Sequence, residues 1–336
     1  MNRVRKQRGV ALLVVLILLV LMSALAAKIS QQFCRNLQKT HYQVSQQQLR
    51  WAMQAQETAI KARLQTATGG ENNVLTLDGD WHQPLETQGD DYTVTSQVED
   101  AQDCFNVNNL LATPAAPEKT DAPAVSEKPR QQQILEQIFT DSGLSTTAAE
   151  EVYTQLVDAL DEDTTTAKGG QEDDAWAGVQ PARLPANQMM QTLSEIKQLP
   201  AFPAAAWPKV SALLCALPTT DSKINVNTLT AKQARLLAAL FPGKLTEEEA
   251  KRVIEARPEG GWESVAAFSE MLERNAPQLK EDLKQAGEAF AVTSRYFRVN
   301  YTGNTDALTL RVVSQLRAES EAGEIRTWQR RYRMIE

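Results

Sequence analysis

The sequence predicts an α+β chain: a long N-terminal helix plus a small antiparallel sheet, split by a large inserted all-α domain. Three observations carry that reading. First, Val10 to Ala27 is apolar with only Ser23 interrupting, and no Gly or Pro follows until Gly69-Gly70. Second, segments that alternate apolar and polar residues occur at two distant places, Tyr92–Val98 and then from Tyr296 to Tyr332, as half-buried strands do. Third, the residues between those places carry helical periods and capping signals rather than alternation.

The N-terminal segment is basic, with Arg3, Arg5, Lys6 and Arg8 ahead of Gly9, which places the N-terminus in the cytoplasm by the positive-inside rule. The apolar run rises about 27 Å as a helix at roughly 1.5 Å per residue, close to the roughly 30 Å of a bilayer core. A stripe of Ile29, Phe33, Leu37, Leu49, Met53, Ile60 and Leu64 continues the helix to about Thr66, where Gly69-Gly70 ends it. Ala24-Leu25-Ala26 imitates a secretory cleavage site, so a secreted protein cut after Ala26 and an ordinary signal anchor are the rival readings. Strand character follows at Val74–Leu77 and Tyr92–Val98. The matching β material is Phe290–Val292, Tyr296–Tyr301, Leu308–Leu316 and Ile325–Tyr332, with a turn at Gly303-Asn304. The expected division is a leader over 1–9, the transmembrane and packing helix over 10–66, the first sheet portion over 67–105, the inserted α-domain over 106–288, and the completing strands over 289–336. A Pro-rich loop, 112–130, lies within the insertion and has no hydrophobic period.

The chain has 336 residues and a net charge of −7. Acidity of that order disfavours nonspecific binding to nucleic acid or anionic membranes. His41 and His82 are the two histidines, and no nucleophile–histidine set, phosphate-binding Gly loop or His-x-x-x-His pair can be assembled. No enzyme activity is expected. Of the three cysteines, Cys34 sits on the long helix, while Cys104 and Cys215 fall in the globular part. Cys104–Cys215 is the favoured pairing in an oxidising compartment; three buried thiols is the alternative.

Three motifs stand out. Phe105-Asn106-Val107-Asn108 is echoed by Ile224-Asn225-Val226-Asn227, and both read as capped entries into helical regions. After the second echo, Thr230 with Gln233 and Thr246 with Glu249 form capping boxes around the Pro242-Gly243 turn. That stretch, Ile224 to Phe268, resembles a helix-hairpin-helix (SAM-like) module. In DNA-binding versions the hairpin amides hold phosphate. Here Glu247, Glu248 and Glu249 crowd the helix start, which favours protein packing over a phosphate backbone. Finally, Asp161, Asp163 and Glu172, with Asp173 and Asp174 beside them, follow the 1, 3 and 12 spacing of a cation-binding loop. Thr166 stands where an EF-hand needs Gly. A solvated acidic loop is the plain alternative.

Arg5-Lys6-Gln7-Arg8-Gly9-Val10-Ala11-Leu12-Leu13 resembles a prepilin leader. The resemblance implies cleavage after Gly9, a methylated mature N-terminus at Val10, and retention of the apolar helix. Most of that class carries Glu at mature position five, which here is Val14. A buried Glu in lipid needs a partner, implied in the class to be the amine of the preceding subunit. A subunit without a predecessor needs none. Taken with Asp103–Asn108, the Asp161–Asp174 stretch and Ile224–Leu229, in this order, the chain resembles the type II secretion minor pseudopilin K family over nearly its whole length. That resemblance implies a pilin-like core, a periplasmic disulfide, Ca2+ in the α-domain, and a single-pass inner-membrane anchor with the bulk in the periplasm. It also implies a place at the tip of the pseudopilus, initiating or capping it, with the minor pseudopilins I and J, the prepilin peptidase and the inner-membrane assembly platform as partners and no nucleic acid. The alternative is a helix-hairpin-helix, DNA-binding, competence-type membrane protein.

Overall fold

The computed structural model describes residues 8–70, 74–112, 128–163, 176–178, 184–319 and 324–335. Helix α1 (Arg8–Thr68) runs unbroken for 61 residues, about 92 Å at 1.5 Å per residue. Absence of Gly and Pro between Val10 and Thr68 lets it continue. From Leu49 onward one face closes on a sheet: Leu49, Ala52, Met53, Gln56, Glu57, Ile60 and Leu64 are buried, at the three- and four-residue spacing of a single helix face. The expected stripe is therefore divided. Leu49, Met53, Ile60 and Leu64 pack, whereas Ile29, Phe33 and Leu37 remain exposed.

The main sheet joins strands from both ends of the chain. β1 (Leu85–Gln88) and β2 (Thr93–Asp100) precede the insertion; β7 (Tyr296–Asn304), β8 (Thr309–Glu319) and β9 (Glu324–Ile335) follow it. Their order is β1-β2-β7-β8-β9, antiparallel throughout. β2 and β7 close the split, pairing from Thr93↔Asn304 to Asp100↔Phe297. Val94 and Val98, then Phe297, Val299 and Tyr301, then Leu310, Val312 and Leu316, form one core with α1.

Two β expectations need correction. Val74–Leu77 is not a strand: the Leu75 N–H donates to the Val292 carbonyl at 2.9 Å, and Asp80–His82 then forms a 3-10 turn. That turn seats Trp81 edge-on against Phe297 at 5.6 Å. The edge position belongs instead to β1, whose Leu-Glu-Thr-Gln sequence holds one apolar residue and so sends no alternation signal. Phe290–Val292 does not complete the main sheet either; Phe290–Ala291 pairs inside the insertion.

Between β2 and β7 lies a second body with its own core, which includes Leu135, Phe139, Val152, Leu156, Leu237, Phe241, Phe268 and Phe290. Its elements are β3 (Phe105–Asn106), α2 (Arg130–Asp141), α3 (Thr146–Leu160), α4 (Trp207–Val210), β4 (Leu214–Cys215), β5 (Ile224–Asn225), α5 (Ala234–Ala239), α6 (Glu247–Glu255), α7 (Val265–Asn275), α8 (Lys280–Ala286) and β6 (Phe290–Ala291). β3 pairs with β4 and β5 with β6, both parallel. The insertion is thus helical but not purely so. Residue 105 pairs within it, so it belongs to the insertion rather than to the first sheet portion. A two-residue ladder is too short to show as a period, which is why the sequence reads this body as all-α.

Candidate assembly interface

The exposed apolar part of α1 comes first in the chain. Val10, Leu12 to Met22, Leu25, Ile29, Phe33 and Leu37 all face outward. This is the one helix among the described residues long and apolar enough to cross a membrane. Water does not tolerate an apolar surface of that extent; lipid or neighbouring helices must cover it. Gly9 lies in the first turn of α1. Val14, at mature position five, is 48 % exposed and brings no charge to this surface.

The sheet-facing half of α1 is tied down by one buried carboxylate. Glu57 accepts from the Thr327 hydroxyl at 2.6 Å, the Ser314 hydroxyl at 3.0 Å and the Arg330 guanidinium at 2.5 Å, with Lys61 at 3.1 Å one turn on. Burial pushes its pKa up, but the Thr327 and Lys61 hydrogen bonds and the Arg330 charge outweigh that and hold it below the ordinary range. Gln56 donates to the Val94 carbonyl at 2.8 Å and to Thr87 at 2.9 Å. The helix is therefore locked to both ends of the sheet, from β1 to β9.

Acidic groups also mark the junction of the two bodies. Asp100, at the end of β2, is buried and accepts from Thr228 at 2.5 Å, Ser294 at 2.6 Å and the Gln102 N–H at 2.8 Å. Burial dominates and raises its pKa despite those bonds. Asp103 accepts from the Gln233 amide at 2.9 Å. Burial, then the Asp100 charge, pushes it from 3.8 up to about 7, with Arg298 opposing and Glu99 adding to the rise. A carboxyl raised in the folded state keeps a proton that the unfolded chain has lost. Stability is thus expected to fall as pH rises from about 4 to about 7 and to level beyond. Asp103→Asn should flatten that fall. Melting temperatures across the window check it; an unchanged slope in the variant refutes it.

The Asn echo is a repeated structural device. Asn108 donates to the Met190 carbonyl at 3.0 Å and accepts from the Met190 N–H at 2.9 Å. Asn227 does the same to Trp262, at 2.9 and 2.8 Å. The preceding members match too: Asn106 Oδ1 accepts from the Asn108 N–H at 3.3 Å, and Asn225 Oδ1 from the Asn227 N–H at 2.9 Å. Each echo opens on a strand that pairs in parallel with the end of its own half, β3 with β4 and β5 with β6. The reading as entries into helical regions is right, and the side chains go further: each amide stands in for a strand, satisfying a distant backbone. The Cys104–Cys215 disulfide closes the first half, with a Cα–Cα distance of 5.8 Å. It packs with Ala101, Leu217 and Tyr296 between the two bodies. Cys34 is free and exposed.

Both predicted capping boxes form, at Thr230/Gln233 and Thr246/Glu249. Around the hairpin, Lys244 is held by Asp282 at 2.8 Å and Arg235 by Glu247 at 3.2 Å, so these cations are committed to carboxylates. Of the acidic stretch, Asp161 and Asp163 close the end of α3. Glu172, Asp173, Asp174 and Thr166 lie outside the described residues, as does most of the Pro-rich loop, residues 113–127. Among the described residues no group of three or more potential metal ligands assembles. The junction residues Asp100, Thr228 and Ser294 and the Glu57 lock were missed by sequence reading; their partners lie up to 273 residues away, and nothing local announces them.

An apolar anchor helix, packed by its far half on an antiparallel sheet that carries a second, disulfide-closed body, defines a membrane-anchored subunit of pilin type. Comparison with known proteins agrees. Two family profiles, both described as protein K of the type II secretion system, match residues 103–219 and 224–293. Type II secretion system protein K of Klebsiella pneumoniae is 33 % identical over 302 residues, 88 % of each chain. A putative type II secretion system protein K of Escherichia coli K12 is 31 % identical over 303 residues, 90 % of each. A crystal structure of the GspK–GspI–GspJ complex from enterotoxigenic Escherichia coli contains a chain with the same fold, at TM-score 0.71 and 24 % identity, covering 88 % of this chain and 99 % of that one. The chain belongs to the type II secretion system protein K family and is a minor pseudopilin. The DNA-binding alternative finds no support among these relatives. The boundary between the two profiles falls between the two Asn-framed halves of the insertion.

Proposed function

We propose that this minor pseudopilin stands at the tip of the periplasmic pseudopilus, initiating or capping it, as a structural rather than catalytic subunit. The observation that carries the reading is α1: an exposed apolar helix with neutral Val14 where a subunit with a predecessor uses Glu. The prepilin peptidase cuts between Gly9 and Val10 on the cytoplasmic side, and the new terminus is methylated. The helix holds the bulk of the chain in the periplasm until the assembly platform draws the fibre out. The solved relative assembles with proteins I and J, and we assign the same partners here, with the inserted body between β2 and β7 and its hairpin region blocking further stacking. Sequencing the mature N-terminus tests this: Val10 is expected, and Ala27 would make the chain a secreted protein instead. Loss of the gene should change pseudopilus number or length and weaken secretion; normal fibres with normal secretion would sink the tip assignment.

We further propose that Asp161 and Asp163, with Glu172, Asp173 and Asp174, hold Ca2+, which would neutralise their crowded charge. In support, one Asp161 carboxylate oxygen is buried without a hydrogen-bond partner, and burial and then the Asp163 charge push Asp161 up. Excess chelator should lower the melting temperature and added calcium restore it; identical melting with and without calcium refutes the site.

A further inference from the structure

The outer face of the main sheet, opposite α1, carries arginines with and without partners. Arg298, Arg317 and Arg326 each meet a carboxylate, Glu99, Glu319 and Glu324 respectively, whereas Arg330 points to the other face and Glu57. Arg311, Arg331 and Arg333 form no ion pair among the described residues, and all three are exposed. Their placement raises the cost. Arg311 and Arg333 are direct cross-strand partners on β8 and β9, and Arg331 sits two residues along, opposite Val313. Like charges placed so repel one another. A chain of net charge −7 has carboxylates to spare, yet among the described residues none is paired with these three.

The patch leads into a cavity of about 320 Å³ between the sheet and the insertion, lined by Arg298, Arg331 and Trp328 among others. Trp328 is the extra residue of a β-bulge, since Gln315 pairs with Gln329 and Leu316 with Thr327. Its indole N–H is buried and has no acceptor. Arg331 itself donates only to Gln329, at 3.2 Å. Beside the patch, β9 ends the sheet, and no backbone hydrogen bond leaves its outer side among the described residues.

We propose that this surface docks an extended, carboxylate-bearing polypeptide segment, which adds to the β9 edge and sets an acidic side chain between Arg298, Arg331 and the Trp328 N–H. The free edge selects the class of partner, because only a polypeptide supplies both donors and acceptors to a strand. Lipid phosphates are out of reach. The patch lies at the level of Leu49, where Gly303 packs, about 33 Å along α1 from Ala27, several times the screening length of about 8 Å. The inference goes beyond the tip reading and does not depend on it.

The test uses the full chain in detergent micelles and a fluorescein-labelled nonapeptide with Glu at alternate positions. Fluorescence anisotropy should show binding that weakens about tenfold or more when the glutamates become glutamines, or in the Arg331→Glu/Arg333→Glu variant. Trp328→Phe should cost about threefold, through one lost hydrogen bond. Arg333→Gln alone should hold or raise the melting temperature at low salt, because it removes repulsion. Equal binding of the glutamine peptide, undiminished binding by the charge-reversed variant, or a lower melting temperature in Arg333→Gln would overturn the proposal. So would tighter binding of an oligothymidylate of equal charge, which would make the patch a general polyanion surface. None of these outcomes alters the result of N-terminal sequencing.

Discussion

Replacing Cys104 and Cys215 together by serine is expected to cost about 4 kcal/mol of stability, since closing a loop of about 100 residues is worth up to about 4.7 kcal/mol in the chain-entropy model. The two cysteines are separated by 111 positions, and the loop between them contains α2, α3 and α4. The loss should therefore be uneven. The second half of the insertion is closed independently by β5 and β6 and by Phe290, stacked on Phe241 at 6.3 Å and edge-on to Phe268 at 5.2 Å. The main sheet is closed by β2 and β7. Denaturant unfolding of the native and serine chains gives the total, and hydrogen exchange gives its distribution. Amides of α2 and α3 should lose protection first, while β7 and β8 keep theirs. Uniform loss across both bodies would show that the bridge stabilises the molecule as one unit.

The second large effect is expected at the paired asparagines. Asn227→Ala removes both bonds to Trp262 and leaves that backbone N–H and carbonyl buried without partners, a loss of about 3 kcal/mol. Asn108→Ala should do the same at Met190. Asn227→Asp is the informative comparison: it keeps an acceptor for the Trp262 N–H but loses the donor and buries a charge. Its destabilisation should ease as the pH is lowered and the carboxyl protonates. Gly261 belongs to the same site. Its φ is +82°, and an added Cβ would lie 2.8 Å from the Asn227 side chain, so Gly261→Ala should also be strongly destabilising. Urea titration of the four variants checks the set. If Asn227→Ala cost no more than Asn109→Ala, whose partly buried side chain faces the Ser222 loop, the strand-substitute role would be wrong.

Much of this molecule was legible because its signals are local. The apolar run, the uninterrupted helix and the Thr-x-x-Gln and Thr-x-x-Glu caps each depend on residues within a turn or two of one another. The Tyr92–Val98 and Tyr296–Tyr301 alternations were readable for the same reason. The Asn echo was visible as a repeat, though not its purpose, because a side chain bonding a backbone 82 or 35 residues away leaves no mark on its own neighbours. β1 was silent since an edge strand need bury only one face, and β3 to β6 were too short to show a period.

The sequence alone determined that a helix of some 85 Å opens on an apolar span long enough to cross a membrane, that a sheet is split by a helical insertion, and that the ordered motifs are those of the protein K family. Those follow from periodicity and order, which a linear chain displays directly. Only the tertiary structure decided which half of the helix stripe packs, that Glu57 holds the helix to β8 and β9, that Asp100 is buried and Asp103 half-buried at the junction, and that three arginines on the far face of the sheet stand without carboxylates among the described residues. Each of these depends on groups brought together by strand register and body-to-body packing, where burial and charge are set by neighbours remote in the chain.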